Sequence, residues 1–267
     1  MSSGQHALSA SAVIVTWPSD RPSLQEEART LANKVDCECR DSEGIEKTEA
    51  ALLLVVHGDR LELREPASRG RGLTVDFTGT VKGTRRRAGV SSKQPIARAM
   101  GPRRGASIID ATAGLARDTF LLASLGYPVI AVERSPILAA MIHDGLARGM
   151  GVGNARVRAT LERIRFVEGD AREAIGVLTK QGTADVVYLD PMYPSKKKSA
   201  LAKKEIRLLR QLVGDDGDAE ELFRVAREAA VRRVVVKRHP QAPPLVPSPD
   251  VQFKGRTARF DVYLGRG

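Results

Sequence analysis

The sequence predicts an α/β protein: a mostly parallel sheet with a C-terminal antiparallel hairpin, preceded by a small α/β module. Three observations carry that reading. From about residue 90 onward, β-rich apolar runs alternate with stretches of helical spacing, as parallel strands joined by crossover helices would. The chain then ends in "VQFKGRTARFDVYL", which reads as an antiparallel pair turning near Gly255. Before Gly89 the runs are shorter, with one helical stretch among them. The expected division is residues 1–89 and residues 90–267.

In the first part, Ala12 to Thr16 ("AVIVT") is a β-rich run, and Pro22 to Val35 has a Pro-Ser entry followed by amphipathic spacing. Ala51 to Glu65 predicts two strands joined at Gly58 and Asp59, residue types suited to the positive φ of a tight hairpin. Leu73 to Phe77 is expected to add a strand. In the second part a helix over Gln94 to Met100 stops at Gly101-Pro102, and strand Ser107 to Asp110 follows. Next come helix Asp118 to Leu125, strand Pro128 to Glu133 and helix Pro136 to Gly149. Strand Ile164 to Asp170, helix Ala171 to Thr179 and strand Asp185 to Asp190 continue the alternation. Helix Glu220 to Val231 and strand Arg233 to Arg238 complete it, and the proline-rich stretch Gln241 to Pro249 reads as a rigid loop.

Composition narrows the class. The 267 residues are 42% hydrophobic and 28% charged, which suits a globular protein. Lys and Arg number 43 against 32 Asp and Glu, a formal charge of +11, which favours a polyanionic partner over a merely soluble basic surface. Cys37 and Cys39 stand as one C-x-C pair without a second, and with only four His in the chain no zinc site is expected. The N-terminal stretch has no basic n-region, and no apolar run reaches membrane-spanning length, so a cytoplasmic protein is expected.

Acids gather at the strand ends. Asp110, Glu133 and Asp190 each close a predicted strand, and Asp170 sits just past another. In an open parallel sheet, ligands bind in the crevice outside the carboxyl ends of the strands. One such acid alone is as readily a helix N-cap; a series in consecutive units points to a ligand with hydroxyl or amino donors or positive charge. Between Asp110 and Asp118 the segment "DATAGLARD" carries Ala111, Ala113 and Gly114, small enough for the backbone to approach a bound molecule. Glu133 lies where a dinucleotide fold grips ribose hydroxyls. The turn lacks the G-x-G-x-x-G spacing of a pyrophosphate cradle, so S-adenosylmethionine (SAM) fits better than NAD.

The segments "DATAGLARD", "VERSP", "DGLARG", "YLDPMYP", "KKSALAKKE" and "VVVKR" resemble the ribosomal small subunit methyltransferase J family, over a span from about Asp76 to the C-terminal "RFDVYLG". The resemblance implies a class I SAM-dependent, Rossmann-like methyltransferase that methylates the N2 amine of a guanosine in 16S ribosomal RNA. The partner it implies is that RNA or the small ribosomal subunit. It assigns SAM contacts to Arg117, Asp118, Glu133, Arg134, Asp170, Ala171 and Asp190, beside Asp110 and Gly114 from the acid-lined turn. Ala116 departs from the family, which carries glycine there, and its methyl is expected to narrow the pocket slightly.

"DPMY", from Asp190 to Tyr193, resembles the [DN]-P-P-[YF] motif of enzymes that methylate exocyclic amines. Such an amine is a poor nucleophile because its lone pair is delocalised into the base. A carboxylate at Asp190 and a nearby carbonyl would orient its hydrogens, Pro191 would stiffen the loop, and the ring of Tyr193 would stack on an extruded base. Met192, in place of the second proline, leaves the turn less rigid. Lys196, Lys197, Lys198, Lys203 and Lys204 follow, and with Arg85 to Arg87 they are expected to meet phosphates. The motif also permits adenine or cytosine in DNA, and a non-catalytic RNA-binding assembly factor could keep the same fold.

Overall fold

The structure, a computed structural model, describes residues 12–68, 70–79, 93–101, 106–180, 184–192, 200–214, 217–230 and 232–265, without the side chains of 179, 180 and 200–203. The chain forms two compact units. The first takes residues Met1–Asp76, Ser135–Gly151 and Met192–Asp215; the second takes Phe77–Arg134, Val152–Pro191 and Asp216–Gly267. The expected boundary at residues 89 and 90 falls outside the described residues.

The first unit holds a four-stranded sheet: β1 (Val13–Trp17), β2 (Glu38–Asp41), β3 (Leu52–Val56) and β4 (Leu61–Arg64), in the order β2-β1-β3-β4. β1 runs parallel to β2 and β3, while β3 and β4 form the predicted antiparallel hairpin. Gly58 takes φ 77° in that turn, and His57 N–H bonds the Arg60 carbonyl across it. A 3₁₀ turn, Pro22–Leu24, leads into α1 (Gln25–Val35), which buries Ala28, Ala32 and Val35. β2, with its polar, mostly exposed residues, has no apolar pattern to announce it.

The strand expected over Leu73 to Phe77 is a single bridge. Leu73 exchanges both backbone hydrogen bonds with Leu63 and pairing goes no further. The Val75 carbonyl is taken instead by Arg148 of helix α4 (Pro136–Val152), at 2.5 Å. Asp144 on the same helix holds Arg148 at 2.8 Å and accepts the Leu61 N–H at 3.1 Å. Gly145 lies between them, where an added Cβ would come within 2.5 Å of Val75 Cγ1.

The second unit carries the expected larger sheet. Its strands are β5 (Ile108–Asp110), β6 (Val129–Glu133), β7 (Ile164–Glu168), β8 (Val186–Leu189), β9 (Arg233–Arg238), β10 (Val251–Lys254) and β11 (Arg259–Leu264). Their order is β10-β11-β9-β8-β5-β6-β7. β5 to β9 run parallel, and β11 is antiparallel to both β9 and β10, the C-terminal hairpin read from the sequence. Strand order reverses at β5, which lies between β6 and β8, so the ligand crevice of an open α/β sheet belongs at its carboxyl end.

Both faces of this sheet are covered, and alternation sorts the side chains. Ile109, Val187, Leu189, Val234 and Val236 pack in one cluster with Ile175 of α6 (Ala171–Lys180) and Phe223 of α8 (Ala219–Ala229). Ile108, Val186, Tyr188 and Val235 pack in another with Met100 of α2 (Pro95–Met100) and Leu122 of α3 (Arg117–Ser124). Helix α5 (Ala155–Leu161), which the sequence reading passed over, starts at Asn154, whose side chain accepts the Val157 N–H. The remaining helix, α7 (Ala200–Val213), belongs to the first unit. No helix among the described residues is long and apolar enough to cross a membrane.

The Gly145 packing sets a test. Gly145→Ala gains helix propensity of about 1 kcal/mol but must displace Val75 and its carbonyl. A net loss of roughly 1–2 kcal/mol is expected from such overpacking, read as a lower denaturation midpoint at unchanged m-value.

Candidate active site

The predicted site residues of the second unit fall into three connected groups at the carboxyl ends of its strands. The first centres on Asp110, the last residue of β5, which is 1% exposed. Thr119 of α3 donates its hydroxyl to Asp110 Oδ2 at 2.5 Å, and the Thr112 N–H reaches Oδ1 at 3.3 Å. Burial pushes the Asp110 carboxyl up to about 7; the Thr119 hydrogen bond opposes this and the charges of Asp118 and Asp190 add to it.

The turn after Asp110 is stitched to the neighbouring strands. Ala111 N–H bonds the Tyr188 carbonyl and Ala113 N–H bonds the Val132 carbonyl. Gly114 (φ 57°) and Ala116 (φ 54°) both take left-handed backbone. Alanine there costs about 1 kcal/mol relative to glycine. Ala116 is 1% exposed, so its departure from glycine acts on the backbone of the turn as well as on space. In the second group the Gly114 N–H donates to Glu133 Oε2 at 2.8 Å, joining the turn to the tip of β6.

Asp118 stands in the first turn of α3, where the helix dipole favours a carboxylate. Its Oδ2 accepts the hydroxyl of the fully buried Tyr188 at 2.7 Å and the ammonium of Lys237 at 2.6 Å. Lys237 also donates to Asp190 Oδ2 at 2.7 Å. Asp190 follows β8, its side chain is 38% exposed, and its backbone N–H donates to Thr112 Oγ1 at 2.6 Å. Pro191 behind it is buried. Partial burial alone would lower the Lys237 pKa, but Asp190 and Asp118 outweigh it and hold the ammonium above the ordinary lysine range. Burial, with the same carboxylates adding to it, raises the Tyr188 hydroxyl well above an ordinary phenol.

The third group surrounds Asp170, just ahead of α6. Arg172 folds back on it, with Nε at 3.0 Å from Oδ1 and Nη2 at 2.5 Å from Oδ2, and holds its carboxyl below the usual range. Arg172 also meets Glu221 at 2.8 Å and Asp218 at 3.4 Å, and Asp218 in turn binds Arg134 at 2.6 Å. Ala171, beside Asp170, is buried. Arg117 opens α3 as an exposed residue.

Tyr193, Lys196 to Lys198, the Lys203 side chain and Arg85 to Arg87 lie outside the described residues. Lys204, expected to meet phosphate, instead donates to Ser68 Oγ at 2.9 Å and the Arg71 carbonyl at 3.1 Å within the first unit. Sequence reasoning singled out neither Lys237 nor Tyr188. Burial chiefly raises the thiol pKa of Cys37 and Cys39, and no group of three or more His, Cys, Asp or Glu among the described residues could hold a metal ion.

The donor set fits SAM in kind. Glu133 and Asp170 can accept hydrogen bonds from a ribose diol and an exocyclic amine, and the surrounding carboxylates favour a sulfonium. A pyrophosphate is disfavoured, since the Gly114 amide is already donated to Glu133 and Asp118 occupies the positive end of α3.

Comparison with known proteins identifies the family and its cofactor. A family described as "Putative SAM-dependent methyltransferase" matches residues 39–265. A protein of Nitrosococcus oceani named ribosomal RNA small subunit methyltransferase J is 45% identical over 80% of this chain and 84% of its own. The chain belongs to the ribosomal RNA small subunit methyltransferase J family. A member from Thioalkalivibrio sulfidiphilus is 43% identical over 90% of this chain and 94% of its own. The crystal structure of a SAM-dependent methyltransferase from Neisseria gonorrhoeae superposes with a TM-score of 0.71 at 33% identity, covering 95% of this chain and 96% of that one. The cofactor of this family is SAM, and the fold is that of a class I methyltransferase.

The buried Asp110 predicts a pH dependence of stability. Its folded pKa, near 7, lies above the ordinary carboxylate value of about 4. Stability from this group is therefore complete at acid pH and is lost as pH rises to 7, at roughly 1.4 kcal/mol per unit. Asp110→Asn should remove that slope from denaturant unfolding measured between pH 5 and 8; equal slopes in the two proteins contradict it.

Proposed function

We propose that this chain transfers the SAM methyl group to the exocyclic N2 amine of a guanosine in 16S ribosomal RNA, in the cytoplasm. The observation that carries the reading is the setting of Asp190: held at its backbone by Thr112 and at its carboxylate by Lys237, part-exposed beside the switch point, and followed by a buried proline. The names of the family members support RNA of the small subunit as the substrate.

When bound, SAM supplies a methyl group activated by its sulfonium. Glu133 and Asp170 hold the adenosyl portion through its hydroxyls and amine. Asp190 accepts hydrogen bonds from the target amine and turns its lone pair toward the methyl carbon, so that alignment supplies most of the acceleration. Pro191 fixes the acceptor, and the ring of Tyr193 stacks on the extruded base. Lys196 to Lys198 meet the phosphates flanking that base, while Lys204 steadies α7 through its contacts with Ser68 and Arg71.

Incubating the protein with methyl-labelled SAM and small ribosomal subunits or their RNA tests this directly. Label is expected in N2-methylguanosine after digestion to nucleosides, and Asp190→Ala should cut the rate by about 10²-fold or more. Label on adenine or cytosine, or transfer undiminished in the variant, contradicts the assignment.

A further inference from the structure

Asp190, ionised in either case, could act on the target amine in two ways: as a base that takes its proton, or as an acceptor that only orients it. Lys237 bears on the choice, because a cation held against a carboxylate lowers its basicity. Its ammonium bridges Asp118 at 2.6 Å and Asp190 at 2.7 Å, carboxylates carried by different elements, α3 and the end of β8. The bridge is itself braced, because the buried Tyr188 hydroxyl donates to the same Asp118 oxygen at 2.7 Å.

The bridge follows from register. β8 pairs with β9 through Tyr188↔Val235 and Leu189↔Val236, so the next step brings Asp190 level with Lys237. Both side chains continue the alternating rows of Tyr188 and Val235, on the face packed against α3. Among the charged and titratable groups that face Asp190 are Lys237 from β9, Asp118 from α3, Asp110 from β5 and Tyr188 from β8. Of these only Lys237 is a cation; the carboxylates all oppose ionisation of Asp190.

We propose that Lys237 is a positioning residue that keeps Asp190 ionised and fixed in direction, so that Asp190 orients the target amine rather than deprotonating it. This rests on the methyl-transfer reading given above. In the step so constrained, the amine lone pair forms the new nitrogen–carbon bond and the carbon–sulfur pair returns to sulfur. The extra proton on nitrogen then leaves to water. Lys237 stays charged throughout, and its contact with Asp118 ties the acceptor to the first turn of α3.

The test reads Asp190 itself. In the free protein, the carboxyl carbon of Asp190 is followed by ¹³C NMR against pH, with its signal assigned from Asp190→Asn. Removing the cation in Lys237→Met should raise the Asp190 midpoint by about 1–3 units, and Lys237→Arg should hold it near the wild-type value. Asp118→Asn should move it the other way, downward, because a like charge is lost and the ammonium is left to Asp190. This variant decides the matter if Lys237→Met does not melt cooperatively. The acid limb of the methyl-transfer pH profile should follow the Asp190 midpoint in each variant. A purely structural role lowers activity at every pH without moving either. Midpoints that stay put in Lys237→Met, or in Asp118→Asn where Lys237→Met is unfolded, overturn the proposal while wild-type transfer leaves the functional reading standing. Wild-type protein that transfers nothing to any RNA overturns both.

Discussion

In the seven-stranded sheet, even-numbered side chains of β5 and β8 and odd-numbered side chains of β9 fall on the face that packs against α3. That pleat brings Asp110, Tyr188, Asp190 and Lys237 onto one face beside the switch point, although the chain separates the first from the last by more than a hundred residues. Two carboxylates at 4 Å in a partly screened site repel by on the order of 4 kcal/mol. These charges coexist because Lys237 bridges Asp190 to Asp118 of α3, Thr119 and Thr112 hydrogen-bond Asp110, and burial leaves Asp110 uncharged below about pH 7. Breaking any one of these relations alters the electrostatics of the others, so fold and site are held by the same contacts.

The charge of the chain reads differently once side chains are located. A surplus of +11 suggests a broad polyanion-binding surface, yet many of the cations hold the protein's own backbone and acids. Arg259 pairs with the buried Asp261 and donates to the carbonyls of Pro240 and Ala242, and Arg238 donates to that of Pro243. Together they clamp the proline-rich loop after β9, where Tyr263 adds a hydrogen bond to Val246. Arg148, Lys204 and Arg207 tie α4 and α7 to neighbours within the first unit. Composition alone cannot distinguish such internal cations from those that face a partner.

Much of the fold was legible because its signals are local. Gly58 marks its hairpin, Pro22 its helical turn, and the apolar runs of β5, β6, β8 and β9 are long enough to stand out. β2 was missed because its residues face solvent or are half-covered and leave no apolar pattern; α5 was missed because it is seven residues long, though its Asn154 cap was readable. The strand expected at Leu73 to Phe77 had the right composition, but Arg148 takes a carbonyl that pairing would need. At the site, the acids could be listed from strand ends, whereas Lys237 and Tyr188 become visible only when the β8–β9 register is known. The clamp of Arg172 on Asp170 was within reach, since the two stand two residues apart.

The central claim is that acids at the carboxyl ends of β5, β6 and β8 form the SAM site, with Glu133 gripping the ribose from the tip of β6. Titration calorimetry of SAM into the wild-type protein and Glu133→Gln tests it most directly. The account predicts saturable binding by the wild type, weakened about 10-fold or more in the variant, as loss of a charged hydrogen-bond acceptor requires. Equal affinity in the two proteins, or no binding by the wild type, contradicts it.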